Sequence, residues 1–416
     1  MKRLIEHSVI KGTVKIPSSK SVIQRALAIA LLAKGRSVIS NVVFCDDVMN
    51  AVKAVETAGA KTEITGDRII IESGGPGVKD GTVIECGESA LCFRMFSAIS
   101  ALSENKVAIN ASGTLRNRSV EQVERSLIEL GASCSSNDGK PPLTIQGPFK
   151  YGNFSIDGSS TSQFLTGLLI ALSSTGKETV INVNNLSSRP YIDITIALLE
   201  KAGIKIDNLN YEKFIIPASK LYPLSIKAEG DWSGAAFPSV AGAICGSVEL
   251  TGLDINSVQG DKAILHYLEK AGACISVQED SIKISKNILR SFEADCTDTP
   301  DLFPPLTALA VHCAGTSIIH GVHRLRNKES DRAAALMNEL RKLGIDINIS
   351  DNDMIITGGK MKGGAVFSHN DHRMAMALAV TALNSERPVT VDAVQCVNKS
   401  WPGFFEMLSS IGGKIS

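Results

Sequence analysis

A helical segment that ends in glycine and runs into a strand recurs six times along the chain. In the first half it reads Val55-Glu56-Thr57-Ala58-Gly59-Ala60, Leu127-Ile128-Glu129-Leu130-Gly131-Ala132 and Leu199-Glu200-Lys201-Ala202-Gly203-Ile204. It returns as Leu268-Glu269-Lys270-Ala271-Gly272-Ala273, Leu340-Arg341-Lys342-Leu343-Gly344-Ile345 and Leu408-Ser409-Ser410-Ile411-Gly412-Gly413. The glycines lie 72, 72, 69, 72 and 68 residues apart. A helix end that turns back needs positive φ, which glycine adopts without a Cβ clash. A period this regular implies one supersecondary unit used six times.

After each of the first five glycines come two short strands around a polar turn, as in 61–64, Gly66-Asp67 and 68–71. A third strand follows, for example 82–85, 154–156, 224–226 or 365–367. Then come a small polar turn, an apolar helix, another strand and an amphipathic helix. The apolar helices expected at 164–172, 235–245, 306–313 and 374–383 have almost no polar face, so each should be buried. Amphipathic helices such as 332–343 should cover the outside. The sixth unit lacks its strands, and residues 4–16 offer strand-like material with no helix before it. Closing one upon the other gives a lobe of residues 1–18 plus 230–416 and a lobe of residues 19–229. At 416 residues, more than one core is expected in any case.

Lys plus Arg and Asp plus Glu each number 43, so the net charge is zero. That argues against a nucleic-acid partner held by bulk charge; any anion site must be a local cluster. No apolar run reaches the roughly 18 residues of a membrane span. Met1-Lys2-Arg3 and the short apolar stretch before Glu6 do not read as a leader. Nine scattered cysteines without a CxxC pair read as reduced cytoplasmic thiols, mostly small core residues. His320 and His323 have no carboxylate or Cys neighbours at ligand spacing, so no metal is expected. There is no GxxxxGK[ST], convincing GxGxxG or GxSxG motif, which removes nucleotide cofactors and the esterase nucleophile.

Chemistry can sit in the six polar turns before the apolar helices. They are Pro17-Ser18-Ser19-Lys20-Ser21, Cys86-Gly87-Glu88-Ser89, Gly158-Ser159-Ser160-Thr161-Ser162-Gln163, Gly230-Asp231-Trp232-Ser233, Asp298-Thr299-Pro300-Asp301 and Asn370-Asp371-His372-Arg373. Helix starts bind anions through free N–H groups and the dipole. N-capping accounts for Ser89 and Ser233 but not for Lys20 or Arg373, cations that oppose the dipole; a bound anion would remove that conflict. A second set lies where the next strand meets the amphipathic helix: Arg116 and Arg118, Ser188-Arg189-Pro190-Tyr191, Arg324 to Arg332, and Lys399. Together these suggest a cleft between the lobes lined by Lys20, Arg25, Arg118, Lys328, Arg332, Arg373 and Lys399, with Asp301 and Glu329 as acid and base. Such a cleft suits small substrates carrying several phosphates or carboxylates.

On these residues the chain resembles the 5-enolpyruvylshikimate-3-phosphate synthase (3-phosphoshikimate 1-carboxyvinyltransferase) family, nearly end to end. The most specific strings are Lys328-Glu329-Ser330-Asp331-Arg332 and Asn370-Asp371-His372-Arg373-Met374-Ala375-Met376. Pro17 to Ser21 with Arg25, Ser162-Gln163-Phe164-Leu165, Arg189-Pro190-Tyr191-Ile192-Asp193, Pro300-Asp301 and Lys399 add to it. The resemblance implies an α/β fold of two lobes, each of three βαβαββ units around buried helices. It implies transfer of the enolpyruvyl group of phosphoenolpyruvate to the 5-hydroxyl of shikimate 3-phosphate, in aromatic amino acid biosynthesis. It implies a cytoplasmic monomer without metal or organic cofactor, acting on small anions and not on nucleic acid or membrane.

By the same resemblance, Lys20, Ser21, Arg25, Thr161, Ser162, Gln163, Ser188, Tyr191, Asp301, Arg324 and Lys328 would hold shikimate 3-phosphate. Lys20, Ala90, Arg118, Gln163, Arg332, Arg373 and Lys399 would hold phosphoenolpyruvate. Asp301, Glu329 and Lys20 would be catalytic. The sequence departs from the family at Cys86-Gly87-Glu88-Ser89-Ala90-Leu91, where Gly-Asn-Ser/Ala-Gly-Thr is common, at Arg324, where Asn is common, and at Thr161, where Ser is. Ala90 thus stands where a Gly normally borders the position that glyphosate shares with phosphoenolpyruvate. The related UDP-N-acetylglucosamine enolpyruvyl transferase carries a reactive Cys just before the counterpart of Arg118, and no Cys occurs between Cys92 and Cys134 here. A non-catalytic anion-binding relative would have lost an acid, a base or a clamp residue, and all are present.

Overall fold

The computed structural model describes residues 1–416. They form two compact units, Ser18–Ala228 and Met1–Pro17 with Glu229–Ser416. The repeat becomes six four-stranded sheets of one design, three per unit. In each, a parallel pair is extended by two antiparallel strands, a hairpin in five of the six, as where Thr82–Glu85 runs beside Val107–Asn110 and the latter pairs Lys140–Gln146. In four sheets a buried helix bridges the parallel pair. In the other two the partners are exchanged. Strand Ile10–Lys15 leads into helix Lys20–Leu32 but pairs Gly246–Thr251. Strand Ser225–Lys227 leads into helix Trp232–Cys245 but pairs Gly35–Ser40.

The six repeated glycines all take φ between +84° and +108°. The turn is also crowded: a Cβ on Gly59 would meet the Gly77 backbone nitrogen at 2.9 Å, and one on Gly272 the Ile288 carbonyl oxygen at 2.7 Å. The sixth unit does have a strand after its glycine, contrary to the sequence reading. Lys414–Ile415 pairs Lys2–Glu6, which also lies antiparallel to Val389–Asp392 and so completes the sixth sheet. Only two residues long, it carries too little pattern to be seen in the sequence.

Each unit packs its sheets around three apolar helices. These are Lys20–Leu32, Ala90–Ser100 and Gln163–Ser173 in one, and Trp232–Cys245, Phe303–Val311 and His372–Ala382 in the other. All fourteen residues of Trp232–Cys245 are buried, as are all nine of Phe303–Val311. Helices apolar on every side have nowhere else to go. Several begin earlier than their apolar run suggests, because their first turn is a polar cap: Asp231 accepts from the Ser233 amide and Asp371 from the Arg373 amide. Pro304 and Pro305 sit in the first turn of Phe303–Val311, where a missing N–H costs nothing. The expected helix 332–343 is Arg332–Lys342. No helix is long and apolar enough to cross a membrane. Six of the nine cysteines are buried, all are free thiols, and Cys274 is the exposed one.

Candidate active site

In the Ser18–Ala228 unit, three buried helices begin with candidate residues. Lys20 opens its helix, and a carboxylate of the protein faces it: Nζ lies 2.6 Å from Asp47 Oδ2. Asp47 is almost wholly buried and sits at the start of helix Asp46–Thr57. Ser21 and Arg25 follow on the Lys20 helix. Arg25 is only 1% exposed and donates to Thr195 Oγ1 at 2.9 Å, to the Ser21 carbonyl at 2.8 Å and to the Tyr191 carbonyl at 3.1 Å. Burial lowers its pKa to about 10, with Tyr191 partly opposing, so it stays a cation at neutral pH. The fold thereby gathers Lys20, Ser21, Arg25 and Tyr191 from two helices, and Thr166 adds a third by its 3.0 Å contact with Thr195.

Gln163 opens the next buried helix. Its Oε1 accepts from Arg94 Nη1 at 2.9 Å, and its amide donates to Thr161 Oγ1 at 3.2 Å. Ser162 is buried beside it, and Ser188 is buried with φ +58°, the left-handed region. Ala90, 8% exposed, is the first residue of its helix. Ser89 caps that helix by accepting from the Cys92 amide at 3.4 Å and donates to the buried Gln24 at 2.7 Å. Arg118 follows the short helix Gly113–Asn117 and is half-buried.

In the other unit Asp301 is the centre. Its Oδ1 accepts from Arg332 Nη1 at 2.9 Å, its Oδ2 accepts from Arg373 Nη2 at 2.8 Å, and Lys328 Nζ lies 3.9 Å away. Arg332, 1% exposed, also donates to Glu329 at 2.7 Å and through Nε to Asp371 at 2.8 Å. Lys399 Nζ is 3.7 Å from Glu329 Oε1. Arg324, in the short helix Val322–Leu325, is buried close enough to act electrostatically on Lys328. Here five candidates, Asp301, Lys328, Glu329, Arg332 and Arg373, form one connected network with Lys399 at its edge.

The electrostatics follow from that network. Burial alone would raise the Asp301 pKa, but Arg373, Lys328 and Arg332 together outweigh it and hold the carboxyl well below the usual range. Burial likewise works against Arg332, yet Asp371, Glu329 and Asp301 raise its pKa above the ordinary arginine value. Burial lowers the Lys328 ammonium to about 8, against the pull of Asp301. A further carboxyl, Asp261, accepts from the Ser233 hydroxyl, and burial followed by the nearby Asp301 charge raises it to about 7. Ser233 is therefore not the cap that the sequence suggests; Asp231 is.

The sequence reading named Asp371 only within its polar turn, and it missed Asp47, Arg94 and Asp261 as partners of the candidate residues. Only Arg94 had a visible signal, as the one charge within an otherwise buried helix. The fold also brings Asp353 to 2.6 Å and Glu293 to 2.8 Å from the ring nitrogens of His320, neighbours that sequence spacing does not show. No group of three or more His, Cys, Asp and Glu side chains is placed to hold a metal ion.

The EPSP synthase (3-phosphoshikimate 1-carboxyvinyltransferase) family model matches residues 5–408. A protein named 3-phosphoshikimate 1-carboxyvinyltransferase from Clostridium perfringens is 39% identical over 99% of this chain and 98% of its own. An EPSP synthase structure from Acinetobacter baumannii covers 100% of both chains with a TM-score of 0.84 at 24% identity. The enolpyruvyl transferase NikO from Streptomyces tendae covers 100% of this chain and 98% of its own, with a TM-score of 0.81 at 17% identity. The two structures speak for the fold, and the family match and the 39% relative speak for the lineage. On its repeats, its charged helix starts and these likenesses, the chain belongs to the EPSP synthase family.

Proposed function

We propose that the charged groups of both units carry the reaction of this family. That reaction moves the enolpyruvyl group of phosphoenolpyruvate to the 5-hydroxyl of shikimate 3-phosphate and releases phosphate, on the route to the aromatic amino acids. The chemistry needs a base for the hydroxyl, an acid for the methylene carbon of the donor, and cations for two phosphates and two carboxylates. Lys20, Ser21, Arg25, Thr161, Ser162, Gln163, Ser188, Tyr191, Arg324 and Lys328 would hold shikimate 3-phosphate. Arg118, Arg332, Arg373 and Lys399, with Lys20, Ala90 and Gln163, would hold phosphoenolpyruvate. Asp301 would take the hydroxyl proton as the new C–O bond forms. Glu329 or Lys20 would give a proton to the methylene carbon. Removing a proton from the resulting methyl as the C–O bond to phosphate breaks then restores the double bond.

The observation that carries this reading is Asp301 shared between Arg332 and Arg373, with Lys328 beside it. A carboxylate in that setting is ionised, as a base must be, but weakly basic. Anionic substrates that draw the cations onto themselves would restore its basicity, coupling proton transfer to a filled site. The test is phosphate release in the presence of phosphoenolpyruvate and shikimate 3-phosphate, with UDP-N-acetylglucosamine as the rival acceptor. Release with shikimate 3-phosphate alone supports the reading; release only with the nucleotide sugar, or with neither, overturns it. The cytoplasmic placement and monomeric state implied by the resemblance belong to this reading, and light scattering on the purified chain tests the latter.

A further inference from the structure

A pocket of about 250 Å³ lies in the Ser18–Ala228 unit, away from the charged helix starts. Its walls come from Ala58, Val78, Ile84, Ile99, Ser100 and Leu102. Ile99 and Ser100 end the helix that Ala90 begins, so the pocket lies about 15 Å along that helix from Ala90 at 1.5 Å per residue. The wall is built before any ligand arrives. The Gly77 amide donates to the Ala58 carbonyl at 2.8 Å, and Asn105 donates to the Val78 carbonyl at 2.8 Å, pinning the loop of residues 74–81 over the cavity. No charged side chain lines it.

Ser100 differs from Ser97 on its own helix and from Ser173 and Ser239 on two others. Ser97, Ser173 and Ser239 return their hydroxyls to the carbonyl one turn back at 2.7–2.8 Å. Ser100 is 2% exposed, and its Oγ is buried without a hydrogen-bond partner. A buried hydroxyl left so is costly, and it lines a pocket of ligand size whose only other polar side chain is Ser103. An apolar cavity of about 150 Å³ is enough for benzene, so this one has room for a ring and a substituent.

We propose that this pocket binds a small, mostly apolar, uncharged molecule with one hydroxyl group, of the class of phenols and short aromatic alcohols. The ring lies against Ile84, Ile99 and Leu102, and the ligand hydroxyl pairs with Ser100 Oγ, which can both donate and accept. A carboxylate on the ring would have to be buried without a cation and is excluded.

The experiment measures binding of phenol, toluene and benzoate to the whole chain by ligand-observed NMR and calorimetry. Phenol is expected to bind about fivefold more tightly than toluene, the worth of one net hydrogen bond, and benzoate not at all. Ser100→Ala should bring phenol down to the level of toluene and leave toluene unchanged. Val78→Trp, on the half-buried loop, should block both ligands while sparing the core. Phenol binding that is equal in wild type and in both variants, or no phenol binding at millimolar concentration, overturns the proposal.

Discussion

Asp301 shows how a single side chain can serve two ends. It bridges Arg332 and Arg373 and offsets part of their charge, with Glu329 and Asp371 sharing the compensation of Arg332. Replacing it by Asn keeps the shape but removes both the charge and the proton acceptor. Asp301→Asn is expected to lower kcat by several orders of magnitude while calorimetry still detects shikimate 3-phosphate binding. Near-normal turnover would remove Asp301 from the mechanism. Ala90 carries a different prediction. It is the first residue of its helix, and if it borders the phosphoenolpyruvate position as proposed, its methyl stands beside the inhibitor glyphosate, which is longer than phosphoenolpyruvate. The methyl should therefore oppose the inhibitor more than the substrate. Ala90→Gly is expected to raise glyphosate sensitivity by about 10- to 200-fold, with the Michaelis constant for phosphoenolpyruvate little changed. A glycine variant no more sensitive than wild type would clear the methyl of any part.

At the scale of elements, the repeat was legible because its signals are local. A positive-φ glycine, a polar turn and an all-apolar helix each need only a few neighbouring residues to be recognised. The pairings were not legible, because they join elements far apart in the chain. Lys20 meets Asp47 27 residues on, Arg332 meets Asp371 39 residues on, and Asp301 meets Arg373 72 residues on. In the sequence Lys20 and Arg373 looked like cations waiting for an anion, when each already had a carboxylate. The sheet Glu293–Asp295, Thr316–His320 and Asp353–Thr357 repeats the lesson, since only strand register sets His320 between two acids. Hydrogen bonds first to Asp353 and then to Glu293 raise its pKa above the ordinary value. The stability it contributes is fully present below the unfolded value of about 6.5 and is lost as pH rises through the folded value. The melting temperature of His320→Gln should accordingly fall furthest below that of wild type in mildly acidic buffer, with the gap closing in alkaline buffer. A gap that is constant across pH, or that widens with it, would sink the assignment.

For the whole molecule, the exchanged strands decide what can fold alone. Ser18–Ala228 is one uninterrupted stretch with its own core. Glu229–Ser416 lacks Lys2–Glu6, which lies between two other strands in its sheet, and the four buried aliphatic residues Ile5, Ile10, Val14 and Ile16. At about 1.5–3 kcal/mol each, those four are worth roughly 6–12 kcal/mol, as much as a domain's entire stability. A fragment of residues 18–228 is expected to melt cooperatively by circular dichroism. A fragment of residues 229–416 should do so only when a peptide of residues 1–17 is added. Cooperative melting of the second fragment without the peptide would show the N-terminal strands to be dispensable. The same arrangement sets a schedule on the ribosome. Strand Lys2–Glu6 is made long before its partners Val389–Asp392 and Lys414–Ile415. At roughly 5–20 residues per second, it waits some twenty seconds to over a minute with its edges open. The middle of the chain can fold during that interval, so an early-made strand is among the last to find its place. Any slowing of late synthesis lengthens the time in which it can pair with a neighbouring chain instead.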